Sequence, residues 1–253
     1  MYFRLLYNTL GERTGRIFPV PGRIELNEGL DGGVAAAITT YFVIIGFLLE
    51  VAGFPATEVY MDVKEAIEKR RAYRAFGPVE INDGIIKELA TAAQLTASCF
   101  NNQPWKFVFV RSKQSLAKVH DCLSKGNEWV KGASVIIAAF AKKENDCVIK
   151  EREYYLFDLG MAVSAMQLRA TELGLVAHPI AGFDNGKARL ALGIPEGNMV
   201  LVLINVGKIT EDLSPLTPQQ AAIEPVRPPR LPLENIFSVD AYDEKLAVKP
   251  ARG

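Results

Sequence analysis

LFDLGMAVSAMQLRATELG, residues 156–174, is the stretch from which the fold is read. Leu156, Leu159, Val163, Met166, Ala170 and Leu173 recur at alternating spacings of three and four, which predicts a long helix closed by Gly174. Met161, Ala162 and Ala165 make its other side apolar too. A helix apolar nearly all round has to be covered on both sides, so it belongs at the centre of a domain or in a subunit interface.

Working outward, Ala133 to Phe140 (ASVIIAAF) and Met199 to Val206 (MVLVLINV) are short apolar runs that read as buried strands. Trp105 to Val110 is a third, rich in aromatic and branched residues. Asp62 is placed to cap a helix carrying Val63, Ala66 and Ile67, and Asn82 or Asp83 caps a second with Ile85, Ile86, Leu89, Ala90 and Ala93 in one stripe. Ser112 to Ser124 reads as a further helix, with Gly126 placed to end it. Helices alternating with buried strands predict an α+β or α/β sheet with helices packed on it. Thr210 to Gly253 holds half of the fourteen prolines and little periodicity, so it is expected to run as an extended arm, with polyproline geometry at Pro228 and Pro229.

With 253 residues and 49% hydrophobic composition the chain can bury a full core. Lysine plus arginine and aspartate plus glutamate both total 29, so no overall field attracts nucleic acid or anionic lipid, and any anion site must be local. The two histidines, His120 and His178, are too few for histidine-based triads or histidine metal sites. Cys99, Cys122 and Cys147 show neither a CxxC pair nor companion histidines, so no disulfide framework or metal site is expected. If the protein is an enzyme, this scarcity points to a bound cofactor as the carrier of the chemistry.

The first sixty residues do not match the rest. Residues 32–49, GGVAAAITTYFVIIGFLL, carry no charge and are just long enough to span a bilayer. A membrane anchor, a buried core helix and translated sequence upstream of the true start are all open readings. Met61, followed at once by the amphipathic DVKEAIEKRRAYRAF, is where a domain of its own begins, which divides the chain into an extension, 1–60, and a domain, 61–253.

Two polar clusters carry the candidate chemistry. Arg70, Arg71 and Arg74 fall within five residues; on one helix they would share a face, and their guanidinium forks suit a phosphate. The bland alternative is a solvated face, since Lys64, Glu65, Glu68 and Lys69 precede them. Ser98-Cys-Phe-Asn-Asn-Gln103 offers a hydroxyl, a thiol and three side-chain amides that match the edges of a heteroaromatic ring, or else it is a polar turn before a strand. Gly174 to Asp184, GLVAHPIAGFD, is a helix end followed by a Pro-x-x-Gly turn whose amides face a ligand or merely connect two elements. His178, beside Pro179, reads as structural. Cys99 has no cationic neighbour in sequence and reads as a plain polar-pocket residue.

RRAYRAF at 70–76, SCFNNQPW at 98–105, GLVAHPIAGFD at 174–184 and Arg-Leu-Pro at 230–232 together resemble the nitroreductase family of FMN-dependent oxidoreductases, over essentially 61–253. The resemblance implies an α+β fold, a mixed sheet flanked by helices, in a homodimer whose long central helices and extended C-terminal arms cross the interface. It implies FMN as cofactor, NAD(P)H as reductant and a small nitroaromatic, quinone or similar electron-poor acceptor in a two-step hydride cycle. A cytoplasmic location follows unless residues 32–49 anchor the chain in a membrane. By the same resemblance Arg70, Arg71 and Ala72 contact the FMN phosphate and ribityl chain, and Arg74 lies at the pyrimidine edge. Ser98, Cys99, Asn101 and Gln103 form the loop that the partner subunit lays over the ring. Pro179, Ile180, Ala181 and Gly182 form the turn against it, Asn127 is a further ring contact, and Arg227 and Arg230 are the last phosphate ligands. Ala72 departs from the family's usual serine, Ala97 from a common proline and Cys99 from a small residue. A flavin-binding carrier without turnover, or another reaction on the same scaffold such as dehalogenation, flavin fragmentation or heterocycle oxidation, are the alternatives.

Overall fold

The computed structural model describes residues 61–249. The run 32–49 and the division at residue 60 involve residues outside those described. In chain order the elements are α1 (Val63–Lys69), β1 (Phe76–Gly77), α2 (Asp83–Gln94), β2 (Lys106–Val110), α3 (Lys113–His120), β3 (Val135–Lys142), β4 (Val148–Ile149), β5 (Arg152–Glu153), α4 (Tyr154–Glu172), β6 (Val176–Ile180), α5 (Asn185–Ala191), β7 (Asn198–Ile209) and α6 (Pro218–Ile223).

The two most apolar runs pair with each other at the centre of the sheet. β3 and β7 lie antiparallel from Val135 opposite Val206 to Lys142 opposite Asn198, with a bulge at Ala139 and Phe140. β2 adds outside β3, while β6 and β1 add to β7. The α+β class holds, but the mixed sheet expected with it is not formed among the described residues. Every strand pair there is antiparallel, and none of the connections makes the same-direction crossover that a parallel pair requires.

The period of two along β3 divides the core. Val135, Ile137, Ala139 and Ala141 point to one face, where Leu159, Ala162, Val163, Met166 and Ala170 of α4 pack with Leu89 and Ala93 of α2. Ile136 and Ala138 point to the other, against Val119, Trp129, Val130 and Leu203. The predicted long helix is therefore central, and burial of each of its large side chains contributes about 1.5–3 kcal/mol. Its first turn is not covered by the described residues: Phe157 is 61% exposed and Leu156 36%.

Four predicted boundaries move. β2 starts at Lys106 and, at the sheet edge, buries only Val110, because it has a neighbour on one side alone. α3 stops at His120 because the next residues are drawn into other pairings: Leu123 bridges Phe183, and the Cys122 carbonyl accepts from the Asp184 amide. Pro179 and Ile180 lie in β6 rather than in a turn. β6 pairs only with β7, so Pro179, which has no N–H to donate, sits on an edge strand where none is needed. The tail is not extended throughout. Thr217 and Gln220 close a capping box that starts α6, and Leu233–Asn235 and Glu244–Ala247 form single turns, while most of 225–249 is exposed. Among the described residues no helix is long and apolar enough to cross a membrane.

Candidate functional site

α1 ends before the arginines, with Arg70 as its C-cap in extended geometry, so Arg70, Arg71 and Arg74 do not share a helix face. Tertiary bonds take the chain out of the helix. The Arg71 guanidinium donates to the carbonyls of Pro225 at 2.9 Å and Val226 at 2.6 Å, as well as to that of Glu224, and it lies 4.6 Å over the Tyr73 ring. Glu224, 5% exposed, accepts from the Arg74 amide at 2.5 Å and the Ala75 amide at 3.0 Å, with Arg74 Nη1 at 3.8 Å. These bonds lock the start of the tail onto residues 70–75. Ala72 lies half-buried within that segment and offers no hydroxyl.

The lock sets Arg227 and Arg230 beside Arg70. Arg227 donates to the carbonyls of Glu68 and, at 3.0 Å, of Arg70; Arg230 reaches the carbonyl of Pro228 at 3.4 Å. Burial lowers the Arg70 pKa, and the positive charges of Arg227 and Arg230 lower it further. Among the described residues none of the three pairs with a carboxylate. Three like charges drawn from both ends of the domain, without a counter-ion, form a place for an anion, and guanidinium forks fit the oxygens of a phosphate.

The end of β6 closes one side of this region. His178 Nδ1 lies 2.7 Å from the Tyr73 carbonyl, its ring stacks 4.7 Å from that of Trp129, and Asn205 donates to its carbonyl at 3.0 Å. Burial holds the His178 pKa down, and the charges of Arg74 and Arg70 push the same way against the Tyr73 hydrogen bond. His178 is thus a neutral structural tie between the arginine segment and the strand. Pro179 is half-buried, Ile180 buried and Ala181 exposed. Among the described residues the amides of Ala181 and Gly182 donate to no protein acceptor, while the Gly182 carbonyl accepts from the Ser124 amide at 2.9 Å and from Asn127 Nδ2 at 3.0 Å. A Cβ at Gly182 would stand 2.2 Å from Asn127 Nδ2, so only glycine allows this approach. Asn127 holds the turn, and two free amides at the end of β6 can face a ligand's acceptors.

The loop 98–103 is a separate cluster that makes no hydrogen bond to the arginines among the described residues. Ser98 Oγ accepts from the Gln103 amide at 3.0 Å, and Gln103 Nε2 reaches the Asn101 carbonyl at 3.3 Å. Phe100, Asn101 and Gln103 all have positive φ, and Phe100 is 87% exposed. Cys99 is not a free pocket thiol: it forms a disulfide with Cys147, with Cα atoms 6.1 Å apart across 48 residues of sequence. Cys147, the residue before β4, meets the loop at the base of the β4–β5 hairpin, a contact that cysteine spacing could not show. Cys99, Asp146 and Cys147 are close enough for their donor atoms to share a cation, but the two sulfurs are bonded to each other and are not thiolate ligands. A groove of about 320 Å³ lined by Lys87, Ala90, Thr91, Gln94, Trp105 and Phe107 holds none of the predicted residues.

Glu224 was not among the sequence candidates. Its only sequence signal is an isolated carboxylate just before a proline in a tail rich in arginine.

The fold and this cluster define an α+β protein in which three guanidinium groups from both ends of the domain converge, with a pair of open backbone amides at the end of β6. The chain belongs to the nitroreductase family, whose model matches residues 67–127 and 123–208, together more than half of its length. A Thermus thermophilus protein named NADH dehydrogenase is 26% identical over 188 residues, covering 62% of this chain and 91% of that protein. Among solved structures, one described as an oxidoreductase containing FMN is 27% identical with a TM-score of 0.63, over 75% of this chain and 96% of that one. A nitroreductase family protein from Clostridium novyi NT is also 27% identical, with a TM-score of 0.57 over 62% and 89%. The family read from the four motifs is thus the family to which the chain belongs.

Proposed function

We propose that the chain is a cytoplasmic, homodimeric FMN-dependent oxidoreductase that carries electrons from NAD(P)H to a small electron-poor acceptor such as a nitroaromatic or a quinone. The observation that carries this reading is the convergence of Arg70, Arg227 and Arg230 without a carboxylate partner. The residues present fit FMN: the arginines match its phosphate, and the free amides of Ala181 and Gly182 match the acceptors of its ring. Family membership and the FMN named for a 27% identical neighbour support the choice of cofactor.

Bound FMN supplies hydride acceptance from NAD(P)H and electron delivery to the acceptor. The chain's own part is position and field. Arg70, Arg227 and Arg230 hold the phosphate, and Arg71 keeps Arg227 and Arg230 in reach by fastening the tail. Ala181 and Gly182 direct their amides at the ring, on a turn braced by Asn127. Arg74 places a cation at the pyrimidine edge, where preorganised charge stabilises the reduced form. Its tie to Glu224 keeps it aimed. His178, whose pKa is lowered by burial, ties the arginine segment to β6 through its bond with the Tyr73 carbonyl.

The dimer is supported by what the described residues leave uncovered: Leu156 and Phe157 on α4 and, on the tail, Leu233, Ile236, Phe237, Val239 and Tyr242. A second copy would cover these and lay its loop 98–103 over the ring, with Ser98, Asn101 and Gln103 as polar contacts. The test is spectroscopic and kinetic. The purified full-length chain is expected to be yellow and to consume NAD(P)H steadily with a quinone. A colourless protein that cannot be loaded with FMN refutes the reading, and a yellow one without turnover leaves only a flavin carrier.

A further inference from the structure

A cross-link, two carboxyl groups and a strained loop meet at one place outside the arginine cluster. The Cys99 amide donates to Asp158 Oδ2 at 2.7 Å, and Asp158 is only 1% exposed. Asp146 places a carboxylate oxygen within 4.8 Å of both sulfurs, and one of its oxygens, Oδ2, is buried with no donor. Asn102 Nδ2 holds the other oxygen at 3.2 Å and reaches Cys147 Sγ at 3.5 Å. Within the single chain both cysteines are half-buried rather than fully enclosed.

We propose that Cys99–Cys147 is a thiol-exchange site served by the Asp146–Asp158 carboxyl pair, and that its reduction releases the loop Ser98–Gln103. The chemistry balances with a small dithiol as reductant. Its thiolate bonds to one cysteine sulfur while the Cys99–Cys147 bond breaks, and the departing sulfur takes a proton from the carboxyl pair. The reductant's second thiol then displaces the first cysteine and closes its own disulfide. The carboxyl pair regains its proton from the second thiol. The displaced first cysteine takes a proton from solvent, which balances the one the first thiol gave to solvent on becoming a thiolate, so two electrons and two protons pass to the protein in all.

The carboxyls are suited to that role. Burial raises the Asp158 pKa, the Cys99 amide opposes this, and the neighbouring Asp146 raises it again, so Asp158 holds a proton more readily than an exposed carboxyl does. The loop is suited to respond. Three non-glycine residues, Phe100, Asn101 and Gln103, stand in the left-handed region, which persists only where the surroundings over-determine it. The disulfide and the Cys99–Asp158 bond are such constraints, and removal of the first leaves the loop tied to the hairpin, among the described contacts, by the Asn102 hydrogen bonds to Asp146 and Cys147 alone. Disulfides are rare in cytosolic proteins, and those that occur there are usually transient and exchangeable.

The test uses the full chain and reads thiols and amide exchange, so it is independent of the flavin reading. Alkylation under denaturing, non-reducing conditions is expected to label only Cys122, and all three cysteines after dithiothreitol. Labelling of all three before reduction overturns the proposal. With the native fold retained by circular dichroism, dithiothreitol is expected to reduce the wild type and to lower protection at the Gln103 amide. Asp158→Asn, or Asp146→Asn if the first variant fails to fold, is expected to slow that reduction about 100-fold, the lower end of a general-acid contribution. Cys147→Ser is expected to show the reduced protein's exchange at Gln103 from the outset. Equal reduction rates in wild type and acid variant, or an unchanged Gln103 amide on reduction, overturn the assignment.

Discussion

Replacement of Glu224 by alanine tests whether a single carboxylate joins the tail to the arginine segment. The side chain is 5% exposed and accepts two backbone amides, from Arg74 and Ala75, besides lying 3.8 Å from the Arg74 guanidinium. Alanine leaves two amides without an acceptor, one of them buried, at about 1–3 kcal/mol for a buried unsatisfied donor. A total loss of about 3 kcal/mol lowers the midpoint of thermal unfolding by roughly 6–12 °C, at ~2–4 °C per kcal/mol for a domain of this size. Glu224→Gln keeps an acceptor oxygen and is expected to recover more than half of the loss. FMN affinity should fall with stability in the alanine variant, although Glu224 is assigned no contact with FMN, because Arg227 and Arg230 hang from the same tether. Differential scanning calorimetry and flavin fluorescence titration measure the two effects. An alanine variant that melts within about 1 °C of wild type and binds FMN as well would refute the tether.

Gly182→Ala places a Cβ 2.2 Å from Asn127 Nδ2, so it is expected to shift the turn and weaken FMN binding by about tenfold, roughly 1.4 kcal/mol; adding Asn127→Ala should recover part of that, as titration of the double variant will show. His178 has a folded pKa below the ordinary value of about 6.5, so the unfolded chain binds more protons as the pH falls through that value and stability is lost with acidification. Urea unfolding at pH 5 and pH 7.5 should show a larger loss in wild type than in His178→Asn. Phe157→Asp puts a charge on the uncovered first turn of α4 and is expected to convert a dimer to monomers in light scattering, without unfolding them.

What could be read from the chain alone was whatever local pattern controls. The runs that became β3 and β7 are apolar on both faces because helices and loops cover both sides of the sheet, and the helix 156–174 announced its central place through Met161, Ala162 and Ala165. The four family motifs were legible for the same reason, being short and contiguous. The misread features depend on distant partners. Arg70 to Arg74 looked helical because nothing local shows that Glu224 and four tail carbonyls pull the chain straight. Pro179 suggested a turn because a proline at a strand edge is acceptable only when the edge is known. Cys99 and Cys147 looked unrelated because they meet only at the base of the β4–β5 hairpin.

The most direct measurement of the central claim is a paired titration of the apoprotein with FMN and with riboflavin, which differ only in the phosphate. If Arg70, Arg227 and Arg230 grip that group, FMN binds at least about 1,000-fold more tightly, roughly 4 kcal/mol, and the gap shrinks by tenfold or more in Arg230→Ala. Equal affinity for the two flavins, or a gap that survives loss of Arg230 unchanged, would contradict the account.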